Sequence, residues 1–226
     1  MATTGSYIVA GARTPIGKMS GALASFSAAE LGGFAITAAL ERSGDAPDEV
    51  DHVIMGQVLM AGQGQVPSRQ AAVNAGIPMN VPSINVNKVC LSGLNSIYLA
   101  NQMIAAGDAD IVIAGGMESM TNAPYLADGA RGGFRYGNTE LRDAIIADGL
   151  WCSFDGCLMG LGTDRYAGSE SISREAQDEF AAVSNERAAN AIKDGRLADE
   201  IVPVAVPQRK GDPILVETDE GVRPGT

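Results

Sequence analysis

The feature that most constrains the fold is a strand that leads directly into a helix, in residues 83–107. β-branched residues recur after Pro82, which is typical of a strand. From Leu94 to Ile104 apolar side chains then recur at spacings of three and four, the period of an α-helix, and Gly107 ends the run. A strand that feeds straight into a helix indicates an α/β fold.

Three more strands and two more helices are expected before residue 120. The strands cover residues 6–11, 52–59 and 109–114, and the helices cover residues 27–42 and 68–75. Ser27 and Glu30 have the spacing of a capping box at the start of the first helix. The order β-α-β-α-β-α-β predicts parallel strands with right-handed crossovers and helices on both faces of the sheet.

The pattern changes after Pro124. Residues 125–168 show little periodicity and many glycines, which favours a functional loop in a compact protein. A helix is predicted over residues 173–192, and residues 201–206 and 213–217 are expected to form a hairpin. The helix carries an apolar stripe that we expect in the core: Ala176, Phe180, Val183, Ala188 and Ile192. The predicted domains are therefore residues 1–124 and 125–226.

Cys90 falls where the organising strand meets its helix. The free backbone N–H groups and the positive dipole end of a helix favour a thiolate, so Cys90 is a candidate nucleophile. Ser92 and Gly93 keep the start of the helix small enough for another molecule to approach the sulfur. The alternative is a buried structural cysteine, because a free cysteine packs as a small hydrophobe, and position alone favours that alternative.

Other titratable residues suggest structural roles. His52, the single histidine, begins a predicted strand, so we do not expect it to be a catalytic base. Arg13 follows the first predicted strand, where an arginine that pins the loop is more common than one that binds a ligand. Cys152 and Cys157 have no histidine or third cysteine nearby, so no metal site is predicted.

Composition limits the classes of partner. The net charge of −11 argues against nucleic-acid binding. The sequence has no apolar run of about 18 residues, so no membrane span is expected. Three cysteines, an odd number, without an evident secretory signal favour reduced thiols in the cytoplasm.

Two segments together resemble the thiolase family, of the acetyl-CoA acetyltransferase type. They are Asn-Lys-Val-Cys-Leu-Ser-Gly at 87–93 and Gly-Gly-Met-Glu-Ser-Met-Thr-Asn-Ala-Pro at 115–124. The resemblance implies a thiolase-like α/β fold, with the nucleophile Cys90 in residues 1–124. Residues 125–226 would form part of a loop domain for tetramerisation and coenzyme A binding, and the C-terminal half of the family's fold would lie outside this sequence.

The resemblance also implies a substrate and further site residues. Cys90 would accept the acyl group of acetyl-CoA or another acyl-CoA, with no metal or redox cofactor, in a homodimer or homotetramer. Leu158 and Met159 lie in a segment similar to the one that lines the family's pantetheine tunnel, and Arg223 matches an arginine that packs on the adenine. Biosynthetic thiolases have a histidine where this chain has Leu158, which affects one coenzyme A contact.

Two alternatives stay open from the sequence. A ketoacyl-synthase-like condensing enzyme also has a cysteine at a strand–helix turn, but prefers Ala-Cys-Ser or Ala-Cys-Ala and a carrier-protein substrate. The other is a non-catalytic, truncated chain that binds coenzyme A or serves in assembly. The family's Gly-His-Pro, Asn-Glu-Ala-Phe and Cys-Gly-Gly motifs, which carry its histidine, oxyanion-hole asparagine and second cysteine, are not found here.

Overall fold

The computed structural model describes residues 5–223 and residue 225. The described chain forms two compact units. The first holds the residues up to Asn122 together with Asp199–Glu220, and the second holds Ala123–Ala198 and the residues after Glu220. The first boundary falls beside the predicted one, but the predicted hairpin region returns to the first unit.

The helices and strands follow one another in an α/β order. The helices are α1 (Ala28–Ser43), α2 (Pro67–Asn74), α3 (Ser92–Ala106), α4 (Met159–Ser169) and α5 (Arg174–Lys193). The strands are β1 (His52–Gly56), β2 (Ser83–Val86), β3 (Val112–Gly116), β4 (Tyr125–Leu126), β5 (Arg142–Asp143), β6 (Trp151–Cys152), β7 (Cys157–Leu158), β8 (Val204–Val206) and β9 (Ile214–Val216).

A parallel sheet with the order β2-β1-β3 forms the centre of the first unit. Ile54 of β1 pairs with Ile84 on one side and with Ala114 on the other. Because side chains alternate along a strand, Val53 and Met55 point to one face, where they join the core beneath α1 and α2. Gly56 points to the opposite face, against the start of α3. The predicted parallel α/β architecture is confirmed.

Helix α1 begins and ends where its sequence predicts. The Ser27 hydroxyl accepts from the Glu30 backbone N–H, and the Glu30 carboxylate accepts from the Ser27 N–H, so the capping box is present. Gly32 lets the helix approach its neighbours closely, because a Cβ there would lie 2.7 Å from the Met117 sulfur and 3.2 Å from Ala71 Cβ. The helix is therefore fixed against both α2 and the segment after β3.

The predicted first strand does not form. Residues 6–11 are extended but belong to no sheet, and Tyr7, Ile8 and Val9 are more than two-thirds exposed. A cavity of about 330 Å³ lies between this segment and β3, with side chains of α1 and α3 also in its lining. Backbone pairing needs strands about 5 Å apart, and the segment is not paired with β3 across this cavity.

Arg13 fastens the returning hairpin to the first unit. Its guanidinium makes two hydrogen bonds with Asp219, of 2.7 and 2.9 Å, and one with Glu200 at 2.7 Å. The Arg13 hydrogen bonds hold the pKa of Asp219 below its ordinary value of 3.8. This stabilisation is present above about pH 3.8 and is lost as the pH falls through the lower pKa of the folded state. The predicted role of Arg13 as a loop anchor is confirmed.

The hairpin closes a second, smaller core. β8 and β9 pair antiparallel, with Ala205 opposite Leu215, as the sequence predicts. Val204 is 1% exposed and packs with Leu23 and Phe26, which precede α1. Segments from the two ends of the first unit thus share one hydrophobic cluster.

The second unit differs more from its prediction. Helix α4 lies in the stretch expected to be a loop. That expectation follows from its three glycines, which lower the helix propensity of the segment. The stripe of α5 expected in the core is at most half-buried: Val183, Ala188 and Ile192 are partly covered, whereas Ala176 is exposed and Phe180 is 78% exposed. Both hydrophobic clusters of the described residues lie in the first unit.

Helix length and hydropathy also bear on the membrane. Across residues 5–223 and residue 225, no helix combines the length and the apolar character that a bilayer crossing needs.

Replacing Arg13 with alanine should lower the free energy of unfolding by roughly 1–3 kcal/mol, because it leaves the Asp219 carboxylate without its charged partner. Urea denaturation at pH 7 measures the change. Arg174→Ala is the matched control, since it removes an exposed ion pair with Asp178 and should cost at most about 0.5 kcal/mol. Equal losses in the two variants would contradict the anchoring role.

Candidate active site

Cys90 lies on a tight turn between the end of β2 and the start of α3, and its side chain is exposed. The preceding residue, Val89, has a φ of +49°, so it is a left-handed turn residue and not the strand residue that its β-branching predicts. A left-handed valine costs about 1–3 kcal/mol and persists only where its surroundings hold it. The backbone strain lies next to the candidate nucleophile.

Two side chains hold this turn. The Val89 backbone N–H donates to Asn87 Oδ1 at 2.9 Å. Ser92 Oγ accepts from the Lys88 backbone N–H at 2.8 Å and donates to the Val89 carbonyl at 2.6 Å. Ser92 is 4% exposed, so water does not compete for the hydrogen bonds of its hydroxyl. Asn87 on one side of the turn and Ser92 on the other thereby hold the backbone of Val89.

The first turn of α3 is open at its N-terminus. Leu91 occupies the N-cap position, and its side chain makes no capping hydrogen bond. The backbone N–H groups of Leu91 and Ser92 donate to the carbonyls of Lys88 and Val89, both at 3.1 Å, and the positive end of the helix dipole meets no N-cap side chain. Cys90 is exposed, which contradicts the alternative of a buried structural cysteine and is consistent with the predicted nucleophile.

The start of α3 touches the carboxyl end of β1 through backbone atoms. A Cβ on Gly56 would overlap the Ser92 backbone and would lie 2.5 Å from the Gly93 nitrogen. Only glycine fits at this point of β1, because any side chain would push the helix away. The same contact therefore fixes the height of Cys90 above the sheet.

Glu118 orders the loop that follows β1. Its carboxylate accepts the backbone N–H of Val58 at 2.9 Å and that of Leu59 at 3.2 Å. Burial of the carboxyl raises the pKa of Glu118 above its ordinary value of 4.5, and the two backbone hydrogen bonds oppose that rise. The carboxyl ends of β1 and β3 are thus connected by a partly buried acid.

A second polar chain joins β1, β2 and α2. Asn85 Oδ1 accepts the Ser68 backbone N–H at 2.9 Å, and Asn85 Nδ2 donates to Gln57 Oε1 at 3.1 Å. Gln57 is 1% exposed, so this bond satisfies a buried amide. The two networks stiffen the edge of the sheet from which the Cys90 turn rises.

Residues 115–124, the second signature segment, hold another part of the chain in place. Asn122 Nδ2 lies within 2.9–3.1 Å of the carbonyls of Ala24 and Phe26 and of Ser119 Oγ. The Ser20 backbone N–H donates to Thr121 Oγ1 at 2.9 Å. The polar side chains of residues 119–122 therefore hold the segment before α1.

His52 lies at the wrong end of the sheet to act on Cys90. It begins β1, whereas the Cys90 turn follows the carboxyl end of the parallel neighbour β2. Four residues of strand separate His52 from Gly56, a rise of roughly 13 Å. The half-buried ring has an Nδ1 atom without a hydrogen-bond partner among the described residues. The prediction that His52 is not the catalytic base is supported by this topology.

The other two cysteines differ from Cys90. Cys157 is 5% exposed, and Arg165 Nη1 lies 3.7 Å from its sulfur. Cys152 is half-buried, and its sulfur contacts Asp155 through the carboxylate at 3.3 Å and the backbone N–H at 3.4 Å. All three cysteines are free thiols, and only Cys90 is exposed.

The predicted coenzyme A residues lie in the second unit. Leu158 ends β7 and is the N-cap of α4, which Met159 begins, and the two residues are 44% and 52% exposed. The backbone N–H of Arg223 donates to Asn185 Oδ1 on α5 at 3.0 Å. The roles of Leu158, Met159 and Arg223 in binding coenzyme A stay predictions.

A resident metal ion has no evident set of ligands. Within residues 5–223 and residue 225, no group of three or more His, Cys, Asp or Glu side chains could hold one. The absence of a redox cofactor stays a prediction.

Two residues that shape this site, Glu118 and Asn87, have no role predicted from the sequence, and Ser92 is expected there only to keep the start of the helix small. Glu118 stands inside a quoted motif, and Ser92 and Asn87 flank Cys90 in the other. Their signal was the presence of hydrogen-bonding side chains beside a strand–helix turn, where polar residues often bind local backbone groups.

Comparisons with known proteins agree on one family. A model of the thiolase N-terminal domain matches residues 6–226. The chain is 52% identical over 222 residues to an acetyl-CoA acetyltransferase of Cupriavidus necator, covering 98% of this chain and 56% of that protein. It is 49% identical over 219 residues to an acetyl-CoA acetyltransferase of Pseudomonas aeruginosa, covering 97% and 56%. The chain thus spans little more than half the length of these curated relatives.

The raised pKa of Glu118 predicts a pH-dependent effect of Glu118→Gln. Because the folded state binds this proton more tightly than the unfolded state, the carboxyl's contribution to stability is greatest below about pH 4.5 and falls as the pH rises. The stability advantage of the unsubstituted chain over the glutamine variant should therefore shrink from pH 4 to pH 7. Urea denaturation across that range measures it, and an advantage that grows with pH would contradict the burial argument.

Proposed function

Since the chain belongs to the thiolase family, we propose that Cys90 is the nucleophile of an acetyl-CoA C-acetyltransferase. The observation that carries the proposal is the exposed Cys90 sulfur on a clamped, strained turn at the N-terminus of α3. The names of the relatives support acetyl-CoA as the substrate.

The proposed first half-reaction is acyl transfer to the enzyme. Cys90 Sγ attacks the thioester carbonyl, the bond from that carbon to the coenzyme A sulfur breaks, and coenzyme A leaves and takes up a proton. Covalent catalysis replaces one difficult step by two easier ones. Backbone N–H groups at the start of α3 would stabilise the oxyanion that forms on the carbonyl.

The proposed second half-reaction joins two acetyl units. A base removes an α-proton from a second acetyl-CoA, and the resulting carbanion attacks the acetyl group on Cys90. A carbon–carbon bond forms, the Cys90 thiol is released, and the product is acetoacetyl-CoA; thiolysis is the reverse. The position of His52 at the far end of the sheet makes it unsuitable as this base. The family resemblance assigns the step to a second cysteine in a motif outside these residues.

We propose that the second unit provides coenzyme A contacts through Leu158, Met159 and Arg223. The exposure of Leu158 and Met159 at the start of α4 supports an apolar contact with the pantetheine chain. A leucine cannot make the polar contact that the family resemblance assigns to a histidine at this position.

Assembly and location belong to the same proposal. We propose a homodimer or homotetramer in the cytoplasm. Exposed aromatic residues in the second unit, Tyr136 and Phe154, support an interface there. Three free cysteines support a reducing compartment.

A second candidate function is a non-catalytic module that binds acyl-CoA or serves in assembly. The observation that favours it is the absence of a histidine near Cys90, since the only one lies at the opposite end of the sheet. The ketoacyl-synthase alternative has no comparable support, because the matching family model is that of thiolases.

Cys90 should react faster with iodoacetamide at pH 7 than Cys152, and Cys157 should react most slowly. The order follows from the exposure of the three thiols and from the helix N-terminus beside Cys90. Mass-spectrometric mapping of labelled peptides over time measures the three rates. Labelling of Cys90 no faster than that of Cys152 would remove the basis of the proposed nucleophile.

The 226-residue chain by itself should not turn over acetoacetyl-CoA. Its only histidine is remote from Cys90, and no residue of this chain is proposed as the base of the second half-reaction. A thiolysis assay on purified chain, checked by mass for a longer contaminating enzyme, measures this. Turnover at the roughly 1–1000 per second of ordinary enzymes, abolished by Cys90→Ala, would show that the acid–base group lies within these residues.

A further inference from the structure

The turn that presents Cys90 is held by side chains that the proposed reaction does not use. Val89 takes a left-handed conformation that a valine leaves when nothing restrains it. Its N–H is bound by Asn87 from one side, and its carbonyl is bound by Ser92 from the other. Ser92 also binds the N–H of Lys88, so the residue before Val89 is fixed as well.

We propose that Asn87 and Ser92 are positioning residues for Cys90, a role that rests on the proposed nucleophilic function. By holding Val89 in the left-handed region, they direct the Cys90 side chain to the N-terminus of α3. Without them the turn relaxes toward an ordinary backbone conformation, and the Cys90 side chain moves away from the positive end of the α3 dipole.

The sign of one measurement separates positioning from a merely structural role. Cys90 is already exposed, so a loosened structure would leave its alkylation rate unchanged or raise it. Loss of the helix terminus would lower that rate. Labelling of buried Cys157 reports any general opening of the chain in the same sample.

The experiment compares iodoacetamide labelling of Cys90, relative to Cys152, in the unsubstituted chain and in three variants. Ser92→Ala and Asn87→Ala each remove one side of the clamp. Ser96→Ala is the matched control, because Ser96 is also a buried serine of α3 whose hydroxyl binds carbonyls, those of Gly93 and Gly115 at 2.6 and 2.9 Å.

The two clamp variants should label Cys90 about two- to fivefold more slowly, the size of a lost interaction with a helix terminus, and Ser96→Ala should match the unsubstituted chain. Asn87 is exposed, so Asn87→Ala decides the matter if Ser92→Ala does not fold. Unchanged or faster labelling in the clamp variants, or an equal loss in Ser96→Ala, overturns the positioning role.

The same data distinguish this proposal from the one on which it rests. Fast labelling of Cys90 that survives both clamp substitutions overturns the positioning role and leaves the nucleophile in place. Labelling of Cys90 in the unsubstituted chain that is no faster than that of Cys152 overturns both.

Discussion

The contact on which the site depends is the backbone approach of α3 to the end of β1. Gly56 has no side chain, so the first turn of α3 lies directly on the strand, within the space a Cβ would occupy. The parallel register then places the ends of β2 and β3 beside the same point, since Gly56 pairs with Val86 and with Gly116. A helix displaced by even one methyl group would carry the Cys90 turn with it.

The polar groups at this edge of the sheet have distinct tasks. Glu118 and the Asn85–Gln57 pair bind the loop after β1 and the start of α2, so they stabilise the frame beneath the turn. Ser92 and Asn87 act on the turn itself. The polar side chains of the second signature segment bind the chain before α1. The motifs by which the family is recognised thus include residues that hold neighbouring segments in place as well as the proposed nucleophile.

The sequence predicts the first unit well because its signals are local. The capping box of α1, the apolar β1 and the placement of Cys90 at a strand–helix junction need only nearby residues. Two of the failures come where the outcome depends on distant partners. Residues 6–11 have a strand composition, but a cavity separates them from β3. The stripe of α5 has a core composition, but none of its residues is fully buried. Val89 has a strand propensity that two hydrogen bonds override, and α4 forms despite its glycines.

The discontinuity of the first unit affects how the chain matures during synthesis. Arg13 leaves the ribosome 206 residues before its partner Asp219, and most of the second unit, Ala123–Ala198, is made in between. Local elements such as α1 and the parallel sheet can form early, but the cluster of Leu23, Phe26 and Val204 must wait for the hairpin. Closing such a long loop carries an entropic cost that grows slowly with its length, so the delay is mainly one of time. Throughout that interval the nascent chain presents an incomplete apolar surface, on which a chaperone that binds such surfaces would act.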